Sequence, residues 1–305
     1  MPAARLSELS DEGLESKLAS DGLVLDFGAA RARIRSDAPR IAPALRTIYG
    51  AFLPEKSAGI VDVTVRVRRQ RGLRRWIRPQ VELVCDGRLL FQPFPADTHL
   101  PLLEWGMNFL LASRLSAHLL LHSGVVERGG RALILPAMPG SGKSTLTAAL
   151  SLRGFRLLSD EFGVVRADGM LLPLLRPTGL KNASIDVIQA FEPRAIIGPR
   201  FAKTRKGTVA HLAPGADAVA ARGIPATPVL IVFPRYDPAV EFELRPVPSA
   251  RAFARLSRNS FNYEMLGPAG FRLVGQLVGS CRCFSLAYRD LNRAVDELSR
   301  LMSDA

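Results

Sequence analysis

The segment that most constrains the fold is residues 131–145, where an apolar run meets a glycine-rich turn and then a run of helix formers. Its letters are RALILP, AMPGSG and KST, close to the pattern G-x-x-x-x-G-K-[ST] but with Ala137 in place of the first glycine. A strand that opens into a helix through such a loop directs backbone N–H groups and the helix N-terminus at a phosphate. The segment therefore predicts strand 131–136, loop 137–142, a helix from 143 and a phosphate site between them.

The residues of this loop have distinct expected roles. Gly140 and Gly142 permit the tight backbone path, and an alanine at position 137 costs little if its φ is negative. We expect Lys143 to reach phosphate oxygens and the Ser144 hydroxyl to bind Mg²⁺. The predicted nucleotide-binding residues are Met138, Pro139, Gly140, Ser141, Gly142, Lys143, Ser144 and Thr145.

A pair of acidic residues comes after the loop, separated from it by one predicted helix that ends at Gly154. The run FRLLSDE then reads as a strand that carries Asp160 and Glu161. We expect this strand to be the parallel neighbour of the loop's strand, so that its carboxyl end meets the loop at one edge of the sheet. One carboxylate can then take a proton from an attacking hydroxyl while the other positions Mg²⁺. The alternative is a solvated acidic turn.

The 305 residues suffice for one large or two modest domains. Alternating valines over 61–67, a hairpin signal at Asp86-Gly87 and a helical pattern over 100–118 predict an α+β region, residues 1–117, for packing or recognition. Residues 118–305 carry the loop and the acids and predict the catalytic domain. The predicted fold class is α/β, with a mixed α+β sheet.

The net charge is +13, and only six of the 41 basic residues are lysines. The charge fits an anionic partner or compositional drift, and no recognition motif supports a specific nucleic acid. No apolar run approaches the ~20 residues of a membrane span. The N-terminal residues lack the apolar core of a signal peptide, so we expect a cytoplasmic location and no membrane partner.

Four of the six lysines lie between positions 143 and 206. The candidates for phosphate or substrate contacts there are Lys181, Asn182, Lys203 and Lys206. Lys181 and Asn182 can equally cap the following helix, and RFAKTRKGTVAHL, expected to be a loop, can equally be a solvated basic segment. His122, in LLLHSGVV, is either a site residue or a buried structural histidine. His211 and Asn262 are weaker candidates.

The stretch LLLHSGVVERGGRALILPAMPGSGKST…GFRLLSDE resembles the catalytic core of the HPr kinase/phosphorylase family, whose fold is related to that of phosphoenolpyruvate carboxykinase. The stretches LKNASIDVI, KGTVAHL, SFNYEMLG and LAYRDLNRAVDEL extend the resemblance, more closely, to the HprK-related kinase A family. The resemblance covers residues 118–305, and the N-terminal part more loosely.

This resemblance implies a set of roles. Asp160 matches the catalytic base, Glu161 the second acid, normally aspartate, and His122 the histidine near the base. Lys143 and Ser144 match the nucleotide and metal positions. The implied cofactors are ATP and Mg²⁺. The implied acceptor is a Ser/Thr hydroxyl of a peptide or small protein, with a PqqD-like partner, and the family implies a homo-oligomer.

The chain departs from the family at three places. Ala137 replaces a glycine, Thr145 replaces a glutamate, and LKNASIDVI stands where the family has its EIRG signature. Since that signature is tied to the phosphorylase reaction, only the kinase reaction is expected here. Three alternatives stay open: a small hydroxylated metabolite as the acceptor, a nucleotide-binding ATPase or switch in which Asp160 orients water, and a nucleic-acid-associated protein.

Overall fold

The computed structural model of the protein describes residues 4–55 and 60–304. The helices before residue 118 are α1 (Asp11–Ala19), α2 (Ile41–Ile48) and α3 (His99–Arg114). The strands there are β1 (Leu23–Asp26), β2 (Arg31–Ser36), β3 (Val63–Arg69), β4 (Gln80–Cys85), β5 (Arg88–Leu89) and β6 (Phe94–Pro95).

From residue 118 onward, the helices are α4 (Lys143–Ser151), α5 (Ala183–Phe191), α6 (Ala216–Ala220), α7 (Ser249–Arg258), α8 (Tyr263–Leu266), α9 (Pro268–Ser280) and α10 (Leu291–Ser303). The strands are β7 (Leu119–Arg128), β8 (Arg131–Pro136), β9 (Arg156–Ser159), β10 (Phe162–Val165), β11 (Leu171–Leu172), β12 (Thr178–Lys181), β13 (Phe201–Thr204), β14 (Gly207–Leu212), β15 (Thr227–Tyr236), β16 (Phe242–Pro246) and β17 (Arg282–Tyr288).

The N-terminal strands form a mixed sheet in the order β1-β2-β3-β4-β5, with β6 paired to β4. Strands β2 and β3 are parallel, and the remaining pairs are antiparallel. Val63, Val65 and Val67 of β3 alternate with partly exposed residues and are buried. Helix α3 covers this face of the sheet. The predicted α+β character of this region is confirmed.

A larger mixed sheet has the order β11-β10-β7-β8-β15-β17-β16, and β9 also pairs with β7. Strands β8, β15 and β17 are parallel. The side chains of β8 alternate between two apolar clusters: Leu133 and Leu135 lie in the cluster with α4 and α10, and Ala132 and Ile134 in the cluster with α7 and α9. The sheet is therefore covered by helices on both faces, and the predicted mixed α/β class is confirmed.

Strand β9 was predicted to be the parallel neighbour of β8, and this prediction is wrong. Strand β7 lies between them and is antiparallel to both. The physical reason is the hairpin at Gly129-Gly130, which already fills the position beside β8. Strands β8 and β9 nevertheless run in the same direction, so their carboxyl ends still share one edge.

A third sheet has the order β12-β14-β13, and all its pairs are antiparallel. The segment from 200 to 212, predicted to be a loop, is instead largely the hairpin of β13 and β14. Thr204 pairs with Gly207 across a tip that consists of Arg205 and Lys206. The prediction failed because it relied on the basic residues around the tip, whereas the last four residues of β14, 209–212, are buried.

The main apolar cluster continues from α2 and α3 into α4 and α5, across the predicted boundary at residue 117. Buried residues of α3, such as Leu103 and Met107, belong to the same cluster as Leu146 of α4 and Ile185 of α5. Within residues 4–55 and 60–304, none of the helices has both the length and the apolar character that a membrane crossing requires.

A substitution at Gly124 tests how α4 packs on β7. A Cβ atom built at Gly124 would collide with the hydroxyl of Thr147, whose own Cβ would be 3.1 Å away. Thr147 cannot move freely, since it is buried and donates to the main-chain oxygen of Lys143. We expect Gly124→Ala to lower the free energy of unfolding by about 1–3 kcal/mol, measured by urea denaturation.

The matched control is Gly275→Ala in α9, where an added Cβ meets open space. In a helix this change should stabilise the protein by about 0.5–1 kcal/mol. Equal effects of the two substitutions would contradict the described packing of α4 on β7.

Candidate functional site

The predicted strand, loop and helix are confirmed: β8 ends at Pro136 and α4 begins at Lys143. Gly140 and Gly142 have φ values of 87° and 85°, a region that favours glycine. A side chain at Gly142 would also meet Tyr236, with the two Cβ atoms 3.0 Å apart. Ala137 is not among the non-glycine residues with positive φ. Its methyl group is therefore compatible with the loop.

The remaining loop residues differ in exposure. Met138 and Pro139 are exposed, and Ser144 and Thr145 are half-buried in the first turn of α4. The main-chain oxygen of Ser141 accepts a hydrogen bond of 2.9 Å from the N–H of Tyr236 at the end of β15. Strand β15 therefore supports the loop from behind, a role that no local sequence signal predicted.

The two acids lie between two consecutive strands, β9 and β10, that both pair with β7. Strand β9 pairs with residues 125–127 of β7, and β10 pairs with residues 119–122. Asp160 and Glu161 occupy the gap between β9 and β10. Irregularities of this kind change the direction of a side chain and are frequent beside active sites.

The loop lysine contacts this break directly. Lys143 is buried, and its Nζ donates a hydrogen bond of 2.5 Å to the main-chain oxygen of Asp160. Lys143 Nζ also lies 4.0 Å from Oε2 of Glu161. The structure therefore brings together the phosphate lysine and both acids that the sequence singled out.

Asp160 is buried, and within the described residues its Oδ1 has no hydrogen-bond partner. Burial raises the pKa of Asp160, and Glu161 raises it further, whereas Lys143 and a hydrogen bond with Ser144 lower it. Asp160 lines a cavity, and a buried carboxylate with an oxygen that lacks a partner is a candidate for accepting a proton from a ligand.

His122 lies on the other side of Glu161, with its Nε2 atom 3.7 Å from Oε1. Burial and the charge of Lys143 lower the pKa of His122, while Glu161 opposes them. The backbone of His122 is held by Asn259, which accepts from its N–H at 2.8 Å and donates to its carbonyl at 2.6 Å. Sequence reasoning did not identify Asn259.

The other predicted residues fall into two groups. Lys181 and Lys206 line a cavity beside the acids, and partial desolvation and the charge of Lys206 lower the pKa of Lys181. Asn182 does not face this cavity; its Oδ1 accepts from the N–H of Thr208 at 3.0 Å, and its φ is 50°. Asn182 is the residue before α5, but its side chain makes no capping hydrogen bond. The contact with Thr208 therefore gives it a structural role other than the predicted cap. The side chain of Lys203 lies outside the described part of the chain.

The two weaker candidates are both buried. Asn262 donates to the main-chain oxygen of His118 and accepts from the N–H of Leu120, so it fixes β7. His211 lines the cavity, and its Nδ1 has no partner within the described residues.

The cavity beside the acids has a volume of about 610 Å³, within the range of small-molecule sites. Its lining includes the loop and acid residues Ser144, Asp160 and Glu161, and residues between 92 and 108 of the N-terminal region. The hairpin tip, Arg205 and Lys206, also lines the cavity. The N-terminal region therefore contributes directly to the site.

Mg²⁺ is compatible with this set of residues. The ion prefers oxygen ligands and is usually held by one or two carboxylates together with substrate phosphates and water. The Ser144 hydroxyl and the Glu161 carboxylate supply such oxygens. The described residues contain no cluster of three or more His, Cys, Asp or Glu that could hold a metal by itself. A metal here would therefore depend on phosphate oxygens of a ligand.

No protein-family model matches the chain, and a search of curated proteins returned no match. The resemblance to HPr kinases accordingly rests on the residues and motifs themselves.

Proposed function

We propose that the protein is an ATP-dependent phosphotransferase of the HPr kinase-like type, which transfers the γ-phosphoryl group to a hydroxyl. The observation that supports this proposal most is the hydrogen bond from Lys143 Nζ to the main chain of Asp160. This bond joins the end of a phosphate-binding loop to the main chain of Asp160, whose buried carboxylate has an oxygen without a partner in the described residues. A generic nucleotide-binding loop has no need of such a base at this position.

In this proposal the backbone N–H groups of 138–145 and Lys143 hold the phosphates. Ser144 and Glu161 hold Mg²⁺, which when bound would neutralise charge on the phosphate oxygens. Asp160 accepts the proton of the attacking hydroxyl, and Lys143 stabilises the charge that develops on the transferring group. The proposal includes the fold of the phosphoenolpyruvate carboxykinase type, a peptide or small-protein acceptor with a PqqD-like partner, a homo-oligomer and a cytoplasmic location.

Hydrolysis is the second candidate reaction, since Asp160 could orient water in the same position. The observation that favours a kinase is the walled cavity in front of the acids, which offers room and contacts for an acceptor larger than water.

Removal of the loop lysine tests nucleotide binding. We expect Lys143→Met to weaken binding of Mg-ATP by about 10- to 100-fold, since a hydrogen bond to a charged group is worth about 1.5–3 kcal/mol. Isothermal titration calorimetry measures the change. The control is Lys17→Met, at the far end of the chain in α1. Unchanged affinity of the Lys143 variant would contradict the proposed phosphate site.

A further inference from the structure

The cavity in front of Asp160 has an aromatic wall that continues to the protein surface. Phe94 and Trp105 line the cavity, with ring centroids 6.2 Å apart. Phe91 packs against Trp105 in a tilted arrangement with centroids 4.3 Å apart, and it contacts Phe109 edge-on with centroids 5.3 Å apart. Trp105 and Phe109 are 40% and 43% exposed. An apolar surface therefore leads from the cavity to the outside of the molecule.

The same cavity is also lined by cationic side chains. Arg205, at the hairpin tip, has its guanidinium 5.7 Å from the centre of the Phe94 ring, and Lys181 and Lys206 line the same cavity. Within the described residues, none of these three cations forms an ion pair with a carboxylate. Two of the three carboxylates that line the cavity are engaged elsewhere: Glu104 with Arg176, and Glu161 with Lys143 and His122.

The inner wall carries two further polar atoms without a partner in the described part of the chain. These are Nε of Arg176 and Nδ1 of His211, and both residues are more than nine-tenths buried. Buried polar groups are normally hydrogen-bonded, because an unmade bond costs about 1–3 kcal/mol. Arg176 Nε can only donate, so it suits a ligand that presents a carbonyl oxygen.

We propose that this cavity receives a peptide segment in which the phosphorylated serine or threonine is flanked by an aromatic or large aliphatic residue and by acidic residues. The inference rests on the proposed kinase function. The hydroxyl would face Asp160, the apolar neighbour the Phe94–Trp105 wall, and the acidic residues Lys206 and Arg205. A peptide also supplies the carbonyl oxygens that Arg176 can bind, and it can follow the apolar surface out of the cavity.

The transfer step balances without a further reagent. The bond between the acceptor oxygen and the γ-phosphorus forms as the bond from that phosphorus to the β–γ bridging oxygen breaks. The hydroxyl proton moves to the carboxylate of Asp160, and ADP leaves with the electron pair of the broken bond.

The experiment uses the full-length protein, Mg-ATP labelled in the γ-phosphate and a positional-scanning peptide library with a fixed central serine. We expect the label to favour peptides with aromatic or large aliphatic residues at one neighbouring position and Asp or Glu at others. Trp105→Ala should lower kcat/KM for the aromatic peptides by about tenfold, the size of a typical hot-spot contact. The control is Trp76→Ala, which replaces the other tryptophan of the chain. Trp76 does not line the cavity, so this change should leave kcat/KM for the aromatic peptides unaltered.

Charge reversal at the hairpin tip provides the second arm. The double change Arg205→Glu and Lys206→Glu should shift the preference from acidic to basic peptides, whereas Arg272→Glu on the exposed side of α9 should leave it unchanged. A parallel incubation with small aromatic hydroxy acids covers the metabolite alternative.

The outcomes separate the inference from the proposed function. The inference is overturned if peptides are phosphorylated without a preference for aromatic and acidic neighbours. It is also overturned if those preferences persist in the variants of both arms. Either result leaves the proposed kinase function intact. Labelling of the hydroxy acids but of no peptide also overturns the inference and leaves the kinase function intact. Release of labelled phosphate with no acceptor labelled at all overturns both the inference and the kinase function, because Asp160 would then activate water. Failure to bind Mg-ATP would overturn the kinase function and the inference with it.

Discussion

Asp160→Asn is expected to lower phosphoryl transfer by about 10²- to 10⁴-fold, the usual contribution of a general base. The amide keeps the shape of the side chain but cannot accept the hydroxyl proton. Because the main-chain oxygen of residue 160 still accepts from Lys143, Mg-ATP should bind to the variant. Single-turnover kinetics measures the loss. The control is Asp168→Asn in an exposed turn, which should retain full activity.

The same variant has a second readout in stability. Burial raises the pKa of Asp160, so the folded protein binds that proton more tightly than the unfolded chain does. The protonated carboxyl group gives its full stabilisation at pH values below the pKa of Asp160 in the unfolded chain. This stabilisation is lost as the pH rises through the pKa of Asp160 in the folded protein. At neutral pH the carboxylate therefore destabilises the fold, and Asp160→Asn should raise Tm.

The pH dependence of catalysis follows from the same shift. The acidic limb of the kcat/KM profile should lie above the ordinary aspartate pKa of 3.8, since Asp160 must be ionised to act as a base. A variant that is inactive and also less stable, or a profile with no acidic limb, would show that Asp160 serves the fold and not the reaction.

The second large effect concerns stability and lies at a buried ion pair between the N-terminal region and the core. Arg176 binds the carboxylate and the main-chain oxygen of Glu104 in α3, and also Asn108. Tyr49 donates to the same carboxylate at 2.8 Å. We expect Arg176→Met to lower the free energy of unfolding by about 3–5 kcal/mol, because it leaves the Glu104 charge buried without its partner. Urea denaturation measures the change.

The matched control removes the ion pair together with the phenol that binds it, and retains the part-buried Asn108. A triple variant with Arg176→Met, Glu104→Leu and Tyr49→Phe leaves neither the charge nor the phenol without a partner. It should recover most of the lost stability, as replacement of buried ion pairs by apolar residues is often neutral. A triple variant that is less stable than Arg176→Met would contradict this interpretation and indicate that the pair itself holds α3 in place.

The parts of the site that the sequence predicted are those encoded by neighbouring residues. The strand, loop and helix of 131–151 follow from an apolar run, two glycines and good helix formers, all local signals. The acids were expected at the carboxyl end of a strand, and they follow β9 directly, in the gap before β10. The hairpin at Asp86-Gly87 follows from the conformation that such a turn requires.

What the sequence did not predict depends on contacts between distant residues. Strand β7 separates β8 from β9, although nothing within β8 or β9 indicates which strand lies beside it. Arg176 and Glu104 are separated by 72 positions, and no pattern joins them. The wall of the cavity comes from residues 92–108, a segment predicted only to pack or to recognise a ligand. The Asn182 side chain binds the N–H of Thr208 because the hairpin of β13 and β14 runs beside it. The sequence predicted a loop at that place.

The most direct test of the central claim, transfer to a hydroxyl by Mg-ATP and Asp160, is to follow the transferred phosphoryl group in water enriched in heavy oxygen. Incubation with Mg-ATP and the peptide library should give a phosphorylated peptide that carries no heavy oxygen at phosphorus, in amounts equal to the ADP formed. Phosphorus NMR and mass spectrometry of the products measure both quantities. Inorganic phosphate that carries heavy oxygen, with no phosphorylated acceptor, would contradict the account, because Asp160 would then activate water.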